Sequence, residues 1–119
     1  MALHNIPTNT WLEFLDQLQG QNLATPEHIH KVLGVWNEIR AHFQKEVLPP
    51  FTQMTGEGAV QLAWSSPKQI FDVEIFPDNT VLWFYRNRET REVAGTEDEE
   101  NPPQALTPEG YAFLGRLLG

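Results

Sequence analysis

The sequence predicts an α+β domain: two N-terminal helices, the second one long, then a three- or four-stranded antiparallel meander packed on the long helix, then a short C-terminal helix. Three observations carry this prediction. Residues 60–85 hold three runs of apolar and aromatic residues separated by short polar breaks. Residues 29–47 repeat an apolar side chain every third or fourth position. Thr25-Pro26-Glu27 and Thr107-Pro108-Glu109 are two copies of one helix-start signal, a capping Thr followed by Pro and an acid.

The meander organises the chain. Pro77-Asp78-Asn79 suits a type I turn closed by a residue that tolerates the left-handed conformation. If Phe76 lies opposite Thr80, Ile75 faces Val81, Val73 faces Trp83 and Phe71 faces Tyr85. A four-residue loop at 65–68 puts Trp64 opposite Gln69, Leu62 opposite Phe71 and Val60 opposite Val73. One face then carries nine apolar side chains plus Gln69. The other carries a mixed set: Ile70, Asp72, Glu74, Phe76, Leu82, Phe84 and Arg86. A slip of one residue would scramble both faces, so pattern and turns support each other.

The flanking elements follow in order. Residues 1–9 read as a flexible lead. Thr10 and Glu13 have capping-box spacing, Trp11, Leu15 and Leu18 recur at helical spacing, and Gly20 is a stop. The long helix starts after Thr25 and carries Ile29, Val32, Leu33, Trp36, Ile39, Phe43 and Val47 before Pro49-Pro50 ends it. Gly34 is its weak point. Residues 49–58 read as a connection into the sheet, 87–90 as a turn, and 91–96 as a short fourth strand with Val93 its strongest apolar residue. Residues 97–105, with four consecutive acids and then two prolines, read as a solvated loop. Tyr111, Leu114 and Leu118 mark the last helix, which Gly110 and Gly115 weaken, so packing must hold it.

The totals bound the function. At 119 residues the chain is one domain, 1–119, with a hydrophobic fraction of 40%. No apolar run is long enough to span a membrane, and residues 1–7 lack a signal-peptide pattern. The absence of cysteine excludes disulfides and thiolate metal sites and fits a cytoplasmic location. Net charge is −8, from 16 acidic and 8 basic residues, which argues against binding double-stranded nucleic acid through clustered cations.

Several motifs match in part a pattern of a helix exit rich in Pro and Leu, a Gly-Gly-Val-x-Leu-x-Trp strand, a strand ending Glu-Ile-x-Pro-Asp-Gly, an aromatic strand and a Thr-Gly-Glu-like turn. The matching residues are Leu48-Pro49-Pro50, Gly58 to Trp64, Glu74 to Asn79, Trp83 and Thr90-Arg91-Glu92. In these the chain resembles a group of small bacterial proteins with no established function. It departs at Ala59, Asn79 and Arg91, where the pattern has Gly. The resemblance implies a strand-turn-strand fold and no activity.

No set of residues specifies a reaction. His28 and His30 are two apart on a helix and point in different directions, so they read as surface residues, with His42 and His4 too distant to complete a metal site. Asp72 and Glu74 share a strand face and could act as acid and base or hold a cation, but beside Arg86 they read as an exposed, charge-balanced strand. Ser65 and Ser66 lack a nucleophile elbow, and Gly56-Glu57-Gly58 lacks the Lys of a phosphate loop. The aromatics Trp64, Phe71, Trp83, Phe84 and Tyr85 could stack bases beside Lys68, Arg86, Arg88 and Arg91, or simply pack a core. The expectation is a non-enzymatic protein-interaction or regulatory module without a cofactor. Its contact face is Ile70, Phe76, Leu82, Phe84 and Arg86, and its partner is another protein or a second copy. The alternative is a small-molecule or single-stranded nucleic-acid module using the aromatic sheet.

Overall fold

The computed structural model describes Leu15, Gln17, Gly20 and residues 24–43, 46–47, 50–96 and 101–118. In chain order the elements are α1 (Pro26–His42), β1 (Phe51–Met54), β2 (Val60–Ser65), β3 (Gln69–Ile75), β4 (Val81–Asn87), β5 (Val93–Gly95) and α2 (Pro108–Leu118). The strands form one antiparallel meander in the order β1-β2-β3-β4-β5. The class is α+β, with five strands where three or four were expected.

The β3–β4 hairpin has the expected register: Ile75 lies opposite Val81, Val73 opposite Trp83 and Phe71 opposite Tyr85. Phe76 N–H donates to the Thr80 carbonyl at 2.9 Å, and Asn79 takes φ +74°. The β2–β3 register differs from the expectation by two residues. Trp64 faces Phe71, Leu62 faces Val73 and Val60 faces Ile75. The loop shrinks to Pro67-Lys68 because Ser66 and Gln69 close it. Ser66 N–H donates to the Gln69 carbonyl at 2.8 Å, and Gln69 N–H donates to Ser66 Oγ at 3.1 Å. A shift of two leaves every side chain on its expected face. All nine apolar residues assigned to one face, Val60, Leu62, Trp64, Phe71, Val73, Ile75, Val81, Trp83 and Tyr85, are buried.

β1 stands where a plain connection was expected. Thr55 N–H donates to the Ala59 carbonyl at 2.8 Å and Gly58 takes φ +84°, so residues 55–59 close a hairpin and Phe51–Met54 gains a partner. β5 is held by the other end of the sheet. Asn87 Oδ1 accepts from the N–H groups of Glu89 and Thr90, at 2.9 and 3.1 Å, and Arg91 takes φ +65°. Arg91 and Asn79 thus both adopt the left-handed backbone that glycine enters most easily.

α1 begins as expected, with Thr25 Oγ1 accepting from His28 N–H at 3.0 Å. It ends at His42, short of Pro49-Pro50. Phe43 turns to extended backbone (φ −93°, ψ 135°), and its ring packs edge-on against Tyr111 of α2. Phe43 and Val47 therefore leave the helical stripe, and Val47 is buried outside it. His28, Ile29, Val32, Val35, Trp36 and Ile39 face the core. The expected helix at residues 10–20 lies largely outside the described residues. Leu15, Gln17 and Gly20 within it are helical, so Gly20 does not stand beyond a helix end, and Leu15 is buried.

Both described helices lie on the same face of the sheet. Trp36 of α1 stacks on Trp64 at 6.3 Å, and Phe113 of α2 meets Trp83 at 5.6 Å and Tyr85 at 4.6 Å. The Trp83 indole N–H donates to Thr107 Oγ1 at 2.9 Å, and the same oxygen accepts from Gly110 N–H at 3.2 Å. Arg116 lies over the Tyr85 and Phe113 rings and forks onto Glu92 at 3.0 and 3.4 Å. The loop before α2 is stitched to the sheet where Val81 N–H donates to the Pro103 carbonyl at 2.8 Å. Lys31 of α1 donates to the Gln104 carbonyl.

Candidate interaction face

Strand alternation aims the remaining side chains at the opposite face, on which no helix packs among the described residues. The pairing arranges them in three rows. The central row crosses all five strands as Phe51, Ala63, Asp72, Phe84 and Gly95. A second row is Gln53, Gln61, Glu74 and Leu82, and a third is Ser65, Ile70, Arg86 and Val93. Strand spacing makes this grid roughly 19 Å by 14 Å.

The face is apolar at its flanks and acidic at its middle. Phe51 is 58% exposed, Phe84 43% and Val93 60%, and these are the exposed large hydrophobic residues among those described. Ile70 and Leu82 are half-buried beside them. The small residues on the central row shape it. A side chain at Gly95 would come within 3.0 Å of the Trp83 carbonyl and 3.6 Å of the Phe84 ring, so glycine lets β5 lie close beside that ring.

Asp72 sits at the centre, on the middle strand. Its carboxyl is pushed up to about 6, first by burial among its neighbours and second by the charge of Glu74; a hydrogen bond from the Gln61 amide partly opposes this. Gln61 is itself held by Gln53, whose side-chain amide donates to Gln61 Oε1 at 2.5 Å. Glu74 is also raised, by burial and by Glu57 of the β1–β2 loop. Among the described residues neither carboxylate has a cation at ion-pair distance. The expected charge-balanced strand is therefore corrected: Arg86 shares the face and is exposed, yet forms no ion pair with Asp72 or Glu74.

Of the residues expected to form the contact face, the register brings Ile70, Leu82, Phe84 and Arg86 together, and Phe76 follows at the end of β3, half-buried in the turn. Phe51 and Val93 were missed as members. The only sequence signals were the Gly56-Glu57-Gly58 turn that follows Phe51–Met54 and the apolar Val93 in the short fourth strand; the pairing of Phe51 with Ala63 and of Val93 with Arg86 places both on this face.

His28 is not a surface residue: it is 2% exposed, and its Nε2 lies 2.7 Å from the Ile75 carbonyl. It occupies the inner side of α1, where a ring nitrogen satisfies a carbonyl at the end of β3. His30 and His42 are exposed, and His42 stacks on Tyr111 at 4.0 Å. Among the described residues no three His, Asp or Glu side chains converge. Ser66 is used in its turn, Gly58 in its hairpin, and Asp78 Oδ1 accepts from Thr80 N–H at 2.9 Å. That bond holds the Asp78 carboxyl below its ordinary value. Trp64, Phe71, Trp83 and Tyr85 are core residues, so of the five aromatics considered for stacking only Phe84 reaches the open face. Lys68 pairs with Glu89 at 3.0 Å.

Comparison with protein-family models, with curated proteins and with solved structures found no match to this chain. No described helix is long and apolar enough to cross a membrane.

Proposed function

We propose that this chain is a non-enzymatic protein-interaction module, acting in the cytoplasm through the open face of its sheet. The observation that carries the reading is the segregation of exposed apolar side chains: Phe51, Phe84 and Val93 all lie on the one sheet face that neither α1 nor α2 covers. Exposed apolar patches with aromatic and Arg members are typical of surfaces that dock other proteins. The runner-up, a single-strand nucleic-acid platform, is supported less well. Its stacking residues are in the core, and Asp72 and Glu74 occupy the place where phosphates would need cations.

The test is retention from an extract of the source cell. The full chain and its Phe51→Ser/Phe84→Ser variant are immobilised side by side, after circular dichroism has shown the same fold. Proteins held by the wild type and lost at least tenfold by the variant support the reading. An identical retained set in both sinks it.

A further inference from the structure

The open face carries a contradiction that names its partner. It is apolar enough to favour docking, yet its central strand presents two carboxylates without a cation among the described residues. Covering this face with a purely apolar surface would strip the remaining water from Asp72 and Glu74 and leave two unpaired buried charges. Covering it with a second copy would be worse. Asp72 lies at the centre of the face, so a two-fold contact would bring Asp72 and Glu74 of both molecules together, on chains that each carry a net charge of −8. The extent suits a narrow occupant: a helix about 10 Å wide fits across a grid of roughly 19 Å by 14 Å.

Resting on the docking reading above, we propose that the occupant is an amphipathic segment of another protein, a helix whose apolar side presents one Arg or Lys to Asp72 and Glu74. The charged groups around that position are Glu74 on β3, Glu57 in the β1–β2 loop and Arg86 on β4. β1 contributes Phe51 and Gln53, β2 contributes Gln61 and Ala63, and β5 contributes Val93 and Gly95, all uncharged. The arriving cation lies one strand from Phe84, within cation–π reach of its ring, while Phe51, two strands to the other side, offers apolar contact to the rest of the helix. Burial and Glu74 already hold the Asp72 proton more tightly than usual, the signature of a carboxylate short of positive charge.

The test uses the full chain and three fluorescein-labelled helical peptides with a Leu-rich apolar side. They differ at one central position on that side, which is Arg, Leu or Glu. Fluorescence anisotropy at pH 7.5 and physiological salt gives each affinity for the wild type, for Asp72→Asn/Glu74→Gln, and for Glu27→Gln/Glu109→Gln, which removes the same charge from the helical layer. The proposal expects the Arg peptide to bind the wild type at least tenfold more tightly than the Glu peptide. It expects that preference to fall below threefold in Asp72→Asn/Glu74→Gln and to persist in Glu27→Gln/Glu109→Gln. An equal loss in both double variants would show general attraction to an acidic chain and overturn it. If the Leu peptide binds as tightly as the Arg peptide and Phe51→Ser/Phe84→Ser abolishes both, the face docks proteins but the basic partner is wrong. If no peptide binds, or binding ignores Phe51 and Phe84, the basic partner is wrong and the docking face loses its support as well.

Discussion

Asp72 is the residue whose chemistry and position disagree most. In an unfolded chain its carboxyl titrates near 3.8; in the fold it titrates near 6, because the flanking strands take water from it and Glu74 adds a like charge. The sign of the consequence is fixed by linkage. Between about pH 4 and pH 6 the folded state holds more protons at this site than the unfolded state, so stability from Asp72 falls as pH rises through that range and stays low above it. The half-exposed setting screens the penalty to about 1 kcal/mol. Asp72→Asn should therefore stabilise the protein by about 1 kcal/mol at pH 7 and by almost nothing at pH 3.5. Paired urea unfolding curves at the two pH values check this, and a gain that is equal at both would point to packing instead of charge. His28 shows the opposite arrangement, a buried polar ring whose Nε2 lies within hydrogen-bond distance of the Ile75 carbonyl.

At the scale of elements, legibility followed locality. The β3–β4 hairpin was readable because Pro77, Asp78 and Asn79 determine its turn and the alternation on both sides allows one register. The β2–β3 register was not, because shifts of two residues preserve both faces and only Ser66, bonding the Gln69 N–H, chooses between them. β1 was hidden because its apolar members Phe51 and Met54 lie on opposite faces, so it shows no core stripe. The end of α1 is not legible in the sequence because Phe43 continues the helical spacing while leaving the helix to pack on α2. The faces of the sheet were legible, and with them most of the candidate site. What α2 would cover was not, since an amphipathic helix fits either face until Trp83 and Thr107 are known to meet. The helical glycines separate propensity from packing. Gly34 has open space where a Cβ would stand, so Gly34→Ala should stabilise by roughly 0.5–1 kcal/mol. A Cβ at Gly110 would stand 2.6 Å from Leu106 Cδ1 and 3.2 Å from Trp83 Cδ1, both in the core, so Gly110→Ala should destabilise by about 1 kcal/mol despite its better helix propensity. Thermal unfolding of the two variants checks the opposite signs.

At the scale of the molecule, the described residues form an asymmetric two-layer arrangement. α1 and α2 share one side of the sheet, where aromatic contacts run from Trp36 through Trp64, Phe71 and Trp83 to Phe113. That concentration of packing on one side leaves the other without a helix among the described residues, and this is the face proposed to dock a partner. The most direct measurement places a photo-crosslinking side chain on each side of the molecule in the living source cell. Phe84→p-benzoylphenylalanine probes the open face, and the same replacement of Glu38, exposed on α1, probes the helical layer. The account predicts a discrete higher-mass adduct from position 84, lost on adding Asp72→Asn/Glu74→Gln, and none from position 38. No adduct at 84, or an equal one at 38, would contradict it.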